Sequence, residues 1–377
     1  MDIEKIRKEF PVTEHRLFMD HAKVAPLPRP VQAAITAFAT EACEQGTAHY
    51  SEWLKQAEVV RARFARLINA EPGEVAFVKN TSEGLSIVAN GIDWQEGDNV
   101  VVPDIEFPAN VYPWMNLKRR GVEVRFVKAV RGRVPFEQIT AQVTGRTRVV
   151  SISSVEFNSG FRNDLKRIGE FCKEKNIYFC VDAIQSLGVI PVDVKANHID
   201  FLAADGHKWM LSVEGLGGFY ISKKVLEDIH PIQVGWDSVI NSNDYGQYDF
   251  TLKPDATRFE EGSFNILSIY AFGAALALLE EEGIDHIEQR VLHLGDHIID
   301  HLRQRKLKIL SSTEPGERSG SVCFAGDMDY GKLAPFLRER KVIVSVRDHF
   351  VRLSPHFYNT EEEIDRFFSH LDDFLKR

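Results

Sequence analysis

A chain of 377 residues, 44% of them hydrophobic and 27% charged, can bury a large core, which excludes a disordered or fibrous protein and favours two domains or one large domain with an appendage. The formal net charge of −9 argues against a nucleic-acid partner, which would need a basic stripe, so a small molecule is the expected ligand. Cys43, Cys172, Cys180 and Cys323 are scattered without a Cys-x-x-Cys pair, the N-terminus lacks the apolar run of a signal peptide, and no stretch is apolar for long enough to span a bilayer; these features lead us to expect a cytoplasmic protein with reduced thiols.

From the N-terminus, residues from about 30 to 70 read as helix: Val31, Ala34, Ile35, Phe38 and Ala42 recur at helical spacing, and Val60, Phe64 and Leu67 repeat the pattern. Strands and helices then alternate. Runs rich in β-formers stand at VAFV (75–78), NVVV (99–102), VEVRFV (122–127), RVVSIS (148–153), YFCVDA (178–183), DFLAAD (200–205) and GGFYIS (217–222). That rhythm predicts an α/β fold, with a mostly parallel seven-stranded sheet covered by helices. After Pro254 a long helical region (about 265–305) precedes the short strands LKILS, SVCFA, VIVSV and FVRLS and an amphipathic helix from about Glu361, the texture of a smaller α+β domain. The expected division is a large domain over 16–260 and a small one made of 1–15 and 261–377.

Open α/β sheets bind ligands at the carboxyl ends of their strands, so the informative residues should follow the β-runs. In KNTSEG (79–84) a strand gives way to Asn80, Thr81 and Ser82 at a helix start, which suits an anion, although a simple N-cap is the commoner outcome. Phe107 stands just past a strand, where its ring can cover a flat ligand or simply join the core. Asp182 ends the apolar run YFCVD and needs a partner, because a buried unpaired carboxylate is costly; a cationic ring nitrogen and a helix N-terminus serve equally well on local sequence. Lys208, in ADGHKWML, follows the next strand. An amine in an apolar setting loses basicity and can act as an imine-forming nucleophile and a base.

Together these residues resemble pyridoxal-phosphate enzymes of the class V aminotransferase family, within the fold-type I superfamily, whose relatives include cysteine desulfurases and isopenicillin N epimerase-like proteins. The resemblance covers nearly the whole chain and is most specific at VDAIQSLG (181–188), DFLAADGHKW (200–209), RFEEGSFN (258–265) and VRLSPHFYNTEEEIDRF (351–367). It implies pyridoxal 5′-phosphate as cofactor, an amino acid as substrate and a homodimer. It also implies that Lys208 is the internal aldimine lysine and then the base at Cα, and that Asp182 pairs with the ring nitrogen. Gln185 would bind the ring's phenolic oxygen, and Phe107 would stack on the ring. Thr81, Ser82, the backbone amide of Glu83 and His207 would hold the phosphate, with Ser263 reaching in from a second subunit. Arg352 would clamp the substrate carboxylate, a task suited to a two-pronged guanidinium. Transamination is the preferred outcome, with C–S (β-eliminating) lyase or amino-acid epimerase activity as the alternative and a non-catalytic relative of the fold, which would have no chemical need for Lys208, Asp182 and Arg352 together, as the less favoured one.

The substrate side chain is expected near His21, Lys23, Asn158, Arg162 and Trp236; charge at Lys23 or Arg162 suits an acidic substrate or an ordinary surface equally well. Two departures stand out. Position 205 is aspartate where many desulfurases carry a serine that contacts the phosphate, and a carboxylate there should repel a dianion. The stretch before Arg352, VIVSVRDHF, has no cysteine, and Cys323, in an apolar strand, reads as an inert core thiol, which disfavours persulfide chemistry of the desulfurase type. GDMDYGKL (326–333) fails as a phosphate loop because Leu333 replaces the magnesium-binding hydroxyl, and EGLGG (214–218) reads as a tight turn. His286, His293, His297 and His301 share a helix face with Asp296 and Asp300 interleaved, and are expected to form a hydrated polar stripe rather than a metal site.

Overall fold

The structure, a computed structural model, describes residues 2–376. A two-residue strand, β1 (Leu17–Phe18), comes first, followed by the seven strands of the large sheet: β2 (Val75–Val78), β3 (Asn99–Pro103), β4 (Glu123–Val127), β5 (Thr147–Ser153), β6 (Tyr178–Asp182), β7 (Phe201–Asp205) and β8 (Gly217–Ile221). All seven β-rich runs of the sequence are these strands. Their order is β2-β8-β7-β6-β5-β3-β4, parallel except that β8 runs antiparallel to β7 and β2. Period-two alternation sends Val101, Val150, Ile152, Phe179, Val181 and Leu202 to the main core, and Val100, Val102, Val149, Cys180, Phe201 and Ala203 to a second core on the opposite face. Both faces are therefore covered, which is why these strands read as continuous apolar runs.

The helical region expected over about 30–70 is two helices, Arg29–Gln45 and Tyr50–Leu67, separated at Gly46 (φ 57°). The later long region is likewise split, into Ile266–Glu282 and Ile284–Gln304, by Gly283 at φ 78°, a conformation only glycine adopts cheaply. The first of these packs on the two N-terminal helices and joins the main core.

Beyond it lie β9 (Lys308–Ile309), β10 (Val322–Ala325), β11 (Val342–Ile343), β12 (Ser345–Arg347) and β13 (Phe350–Leu353). An antiparallel sheet of order β12-β13-β10-β9 is formed, while β1 pairs in parallel with β11. The helices Ile284–Gln304, Tyr330–Glu339 and Glu361–Leu375 pack over a third apolar cluster containing Leu17, Met19, Val351 and Leu353. Residue 20 bridges to Ser354, so the chain just after β1 lies beside the end of β13.

In the large sheet the chain leaves β3 toward β4 on one side and returns to β5 on the other. The loops after β3 and β5 therefore diverge and open a crevice at the carboxyl ends of the strands, the favoured ligand position in such sheets.

Candidate active site

The crevice is a cavity of about 310 Å³ lined by Lys23, Thr81, Ser82, Phe107, Phe157, Asp182, Gln185, Asp205, His207, Lys208, Arg347 and Arg352, among others. Nine residues singled out in the sequence for the cofactor or substrate thus meet at one place, from the turn after β1, from loops after four strands of the large sheet and from the small domain: Lys23, Thr81, Ser82, Phe107, Asp182, Gln185, His207, Lys208 and Arg352. A larger groove of about 750 Å³ surrounds Arg162, but that guanidinium is committed to Glu288 at 2.6 Å. Trp236 is half exposed and lines no part of the cavity around Lys208.

Lys208 is half-buried, with Nζ 5.7 Å from the centroid of the Phe107 ring. Burial lowers its pKa to about 8, against the opposing pull of Asp182. The free amine, the form a nucleophile requires, is therefore more accessible near neutral pH than for an ordinary lysine, although the protonated form still predominates. Asp182 closes β6, 2% exposed, and accepts the amide of Ile184 at 3.0 Å. Burial raises its carboxyl to about 6, opposed by that hydrogen bond and by Lys208. A cation at this position would bring it back down. Gln185 accepts from Trp209 Nε1 at 3.0 Å and donates to the Ala22 carbonyl at 3.0 Å, which fixes its amide and leaves one Nε2 proton for a ligand.

At the anion end, the helix Thr81–Gly91 begins with Asn80 as N-cap. Its Oδ1 accepts the amide of Glu83 at 2.9 Å, so the Glu83 N–H expected to face phosphate is already engaged in capping. The Glu83 carboxylate pairs with Lys79, and Glu83 lines a neighbouring cavity together with Ser263. Neither residue lies in the Lys208 cavity of its own chain. Thr81 Oγ accepts the amide of Asp205 at 3.0 Å, tying the helix start to the end of β7.

Asp205 is turned toward His207. Its Oδ1 lies 3.0 Å from His207 Nδ1, at ion-pair distance but off the direction of a hydrogen bond, so neither atom has a hydrogen-bond partner.

Arg352, on β13, is 3% exposed. Its Nη1 donates to the Phe157 carbonyl at 2.7 Å, its Nη2 lies 3.6 Å from Asp20 Oδ1, and its Nε has no partner. Burial lowers its pKa, opposed chiefly by Cys323 and Asp20. Such a half-satisfied buried guanidinium is suited to a planar carboxylate.

Two expectations for substrate contact fail. His21 is fully buried, with Nδ1 on the Ser354 carbonyl and Nε2 on the Tyr358 hydroxyl, both at 2.8 Å, and it does not line the cavity. Burial holds its pKa well below the usual histidine value, as for a neutral core ring. Asn158 is also absent from the cavity wall, where Phe157 stands instead; its Oδ1 is buried without a partner.

Sequence reasoning passed over two buried acids behind Asp182. Glu106 accepts Ser153 N and Oγ, both at 2.5 Å, and Ser153 pairs with Asp182 across β5 and β6. Glu156 accepts from Asn163 at 2.9 Å, and the same Asn163 amide donates to the Ser153 carbonyl. Burial raises Glu106 to about 8, the Ser153 bonds opposing and Asp182 adding; burial and then Glu106 push Glu156 well above the carboxylate range. Three carboxyls clustered in so dry a place disfavour one another's ionisation, and Asp182 has the Lys208 amine to favour its charge. Each of the two acids follows an apolar strand, the same cue that singles out Asp182.

The model of the family described as Aminotransferase class-V matches residues 17–367. The chain belongs to the class V aminotransferase family. Within that family it is similar to an uncharacterized aminotransferase, YcbU, of Bacillus subtilis (31% identity over 96% of this chain and 95% of that one) and to a probable cysteine desulfurase of Methanothermobacter thermautotrophicus (32%, over 97% and 96%). Among solved structures, the cystine C-S lyase C-DES in complex with its product cysteine persulfide superposes with a TM-score of 0.90 at 25% identity, over 97% of this chain and 99% of that one. A C-DES variant with glycine covalently linked to the PLP cofactor superposes with a TM-score of 0.90, also at 25% identity, over 98% and 99%.

This class V enzyme is thus a pyridoxal-phosphate-dependent enzyme of the fold-type I architecture that acts on an amino acid. Its cavity fits the cofactor chemically. A helix start with two hydroxyls and a histidine offers donors to a phosphate, a buried carboxylate suits a protonated ring nitrogen, and a lysine of lowered basicity lies between them.

Proposed function

We propose that the protein is an aminotransferase in which Lys208 carries pyridoxal phosphate and Arg352 receives the substrate's α-carboxylate. The observation that carries this reading is the convergence of Lys208, Asp182 and Arg352 on one cavity. The cofactor, when bound, supplies an electron sink for the bond broken at the substrate's Cα. Thr81, Ser82 and His207 would hold its phosphate, Phe107 would cover its ring, and Gln185 would bind its phenolic oxygen. Asp182 keeps a proton on the ring nitrogen, and the protonated state of Glu106 and Glu156 leaves Asp182 as the carboxylate of the group. Lys208 Nζ, when free, would serve as the base that takes the proton from the substrate's Cα and gives it back. Arg352 fixes the carboxylate so that this proton faces Nζ.

Transfer of sulfur to an enzyme thiol is disfavoured by the hairpin before Arg352. Its turn is Asp348-His349, and Cys323 is buried with its thiol pushed up to about 11. A second reading, β-elimination at a C–S bond, is favoured by the likeness to the cystine C-S lyase. Amino-acid epimerisation would use the same residues.

We also infer a homodimer in the cytoplasm, with Ser263 supplied to the other subunit's site; among the described residues no helix is long and apolar enough to cross a membrane. The division into 16–260 and 1–15 with 261–377 is proposed on the same footing, with the helix Ile266–Glu282 lying on the large core.

The test is spectroscopic. Protein incubated with pyridoxal phosphate should gain a visible absorption band, and a panel of amino acids should convert it to the pyridoxamine form. Release of pyruvate and ammonia from cysteine or cystine would instead favour the lyase. A protein that gains no band would refute both readings.

A further inference from the structure

The mouth of the cavity carries more positive charge than a simple amino acid uses. In the β12–β13 hairpin Ser345 pairs with Arg352 and Arg347 with Phe350, so Arg347 and Arg352 leave the same face of the sheet as diagonal neighbours. Such stems stand about 7–8 Å apart, and both side chains line the cavity. Lys23 lines it from the turn after β1, which is held beside β13 by the bridge of Asp20 to Ser354.

Asp20 is near all three cations. Its electrostatic neighbours are Arg352, Lys23 and Arg347, yet its Oδ1 accepts no hydrogen bond, and the nearest Arg352 nitrogen is 3.6 Å away. Asp20 thus faces three cations but is only loosely paired with one of them. Among the described residues neither Arg347 nor Lys23 forms an ion pair, although Glu214 lines the same mouth. The other acids of the cavity are committed elsewhere, Asp205 to His207 and Asp182 beside Lys208. One α-carboxylate would complete the hydrogen bonding of Arg352. A second carboxylate on the same molecule would give Arg347 and Lys23 the ion-pair partner that they lack.

We propose that Arg347 and Lys23 form a subsite for a side-chain carboxylate, so that the substrate is an acidic, dicarboxylic amino acid. This inference rests on the reading of Arg352 as the α-carboxylate clamp. Both residues are exposed at the cavity mouth, so they can be changed without disturbing the core. Arg347 supplies a planar two-pronged donor and Lys23 a mobile point charge, a pairing suited to carboxylates of differing reach.

The experiment compares each acid with its isosteric amide. Holoenzyme is titrated with L-aspartate against L-asparagine and with L-glutamate against L-glutamine, following the cofactor's absorption. The acid should half-saturate the change at a concentration at least tenfold lower than its amide, and Arg347→Gln with Lys23→Gln should bring that ratio toward one. Amides equal to or better than acids in the wild type, or a preference for acids that survives both substitutions, would overturn the subsite. If the band forms but no amino acid alters it, the aminotransferase reading fails separately. Titration calorimetry of the holoenzyme with glutarate against butyrate then decides the subsite without chemistry: tighter glutarate binding lost in Arg347→Gln supports it, and equal binding sinks it.

Discussion

Two arginines are buried almost completely, Arg61 at 1% exposure and Arg352 at 3%, and their surroundings could hardly differ more. Arg61 donates to both oxygens of Glu260, to the Val75 carbonyl and to Glu58, so each of its nitrogens is used. Burial opposes its charge, but Glu260 and Glu58 outweigh that and hold its pKa above the ordinary value. Arg352 has one good hydrogen bond, a loose ion pair and an orphaned Nε, and burial prevails. One chain thus completes a buried cation where it ties a helix to β2, and leaves another incomplete where the strand ends converge. Incomplete satisfaction marks a place where a ligand finishes the network.

The contrast is sharpest at Lys208. Lys208→Met should lower turnover by about 10⁴-fold, the upper range for removing a general base, while the protein without cofactor should melt no lower than wild type. A parallel loss of melting temperature would place Lys208 on the structural side with Arg61. For Arg61→Met, which strands Glu260 in the core, we expect a loss of about 3–5 kcal/mol in denaturant unfolding. Arg352→Met should cost less stability than this and instead weaken substrate binding by about 2–5 kcal/mol, read from the half-saturating concentration. Equal destabilisation by the two substitutions would erase the distinction between them.

The Lys208 amine also fixes a pH window. Its pKa is about 8 in the folded protein and 10.5 in the unfolded chain. Below pH 8 both states bind the proton and the folded state bears the whole cost; between 8 and 10.5 the unfolded chain binds more protons, so stability rises with pH. Protein without cofactor should therefore be less stable than Lys208→Met at pH 7, by at most about 3 kcal/mol. Part of this is offset because Asp182 loses its cation. The gap should close toward pH 10.5, and one that is flat with pH would mean that Lys208 is not the titrating group.

The same contrast explains what the sequence disclosed. The seven strands were legible because both faces are covered and each run is apolar, and Asp182 and Lys208 were legible because they interrupt that pattern at a strand end. His21 looked like a cavity residue because its partners, Ser354 and Tyr358, lie more than three hundred positions away and only the fold brings them to its ring. Glu106 and Glu156 carried the Asp182 cue but sat beside Phe107 and Asn158, which drew the attention. The splits at Gly46 and Gly283 were hidden because helical periodicity is nearly continuous across them. In the histidine stripe the neighbours were invisible for the same reason as at His21: His297 and His301 share Asp365, on the C-terminal helix, at 2.7 Å each. These three groups lie close enough to hold a metal ion, but His301 Nδ1 already accepts from Arg305 at 2.8 Å, which leaves the ring proton on Nε2, facing Asp365.

Asp205 gives the smallest effect and the clearest choice of sign. If its carboxylate faces the phosphate as a like charge, Asp205→Asn should tighten cofactor binding. If it acts through His207, the same change removes the carboxylate that faces Nδ1 and orients the imidazole toward the phosphate. Binding should then weaken by about 1.5 kcal/mol, roughly tenfold, the order of a hydrogen bond to a charged group. The 3.0 Å approach of Asp205 to His207 Nδ1 favours the second outcome, measured as the dissociation constant of pyridoxal phosphate from the protein. His207→Gln supplies the control. In that background Asp205→Asn should have little further effect, because residues that act as one unit are not additive. An undiminished effect of Asp205→Asn in the absence of the imidazole would show that the carboxylate reaches the cofactor by another route.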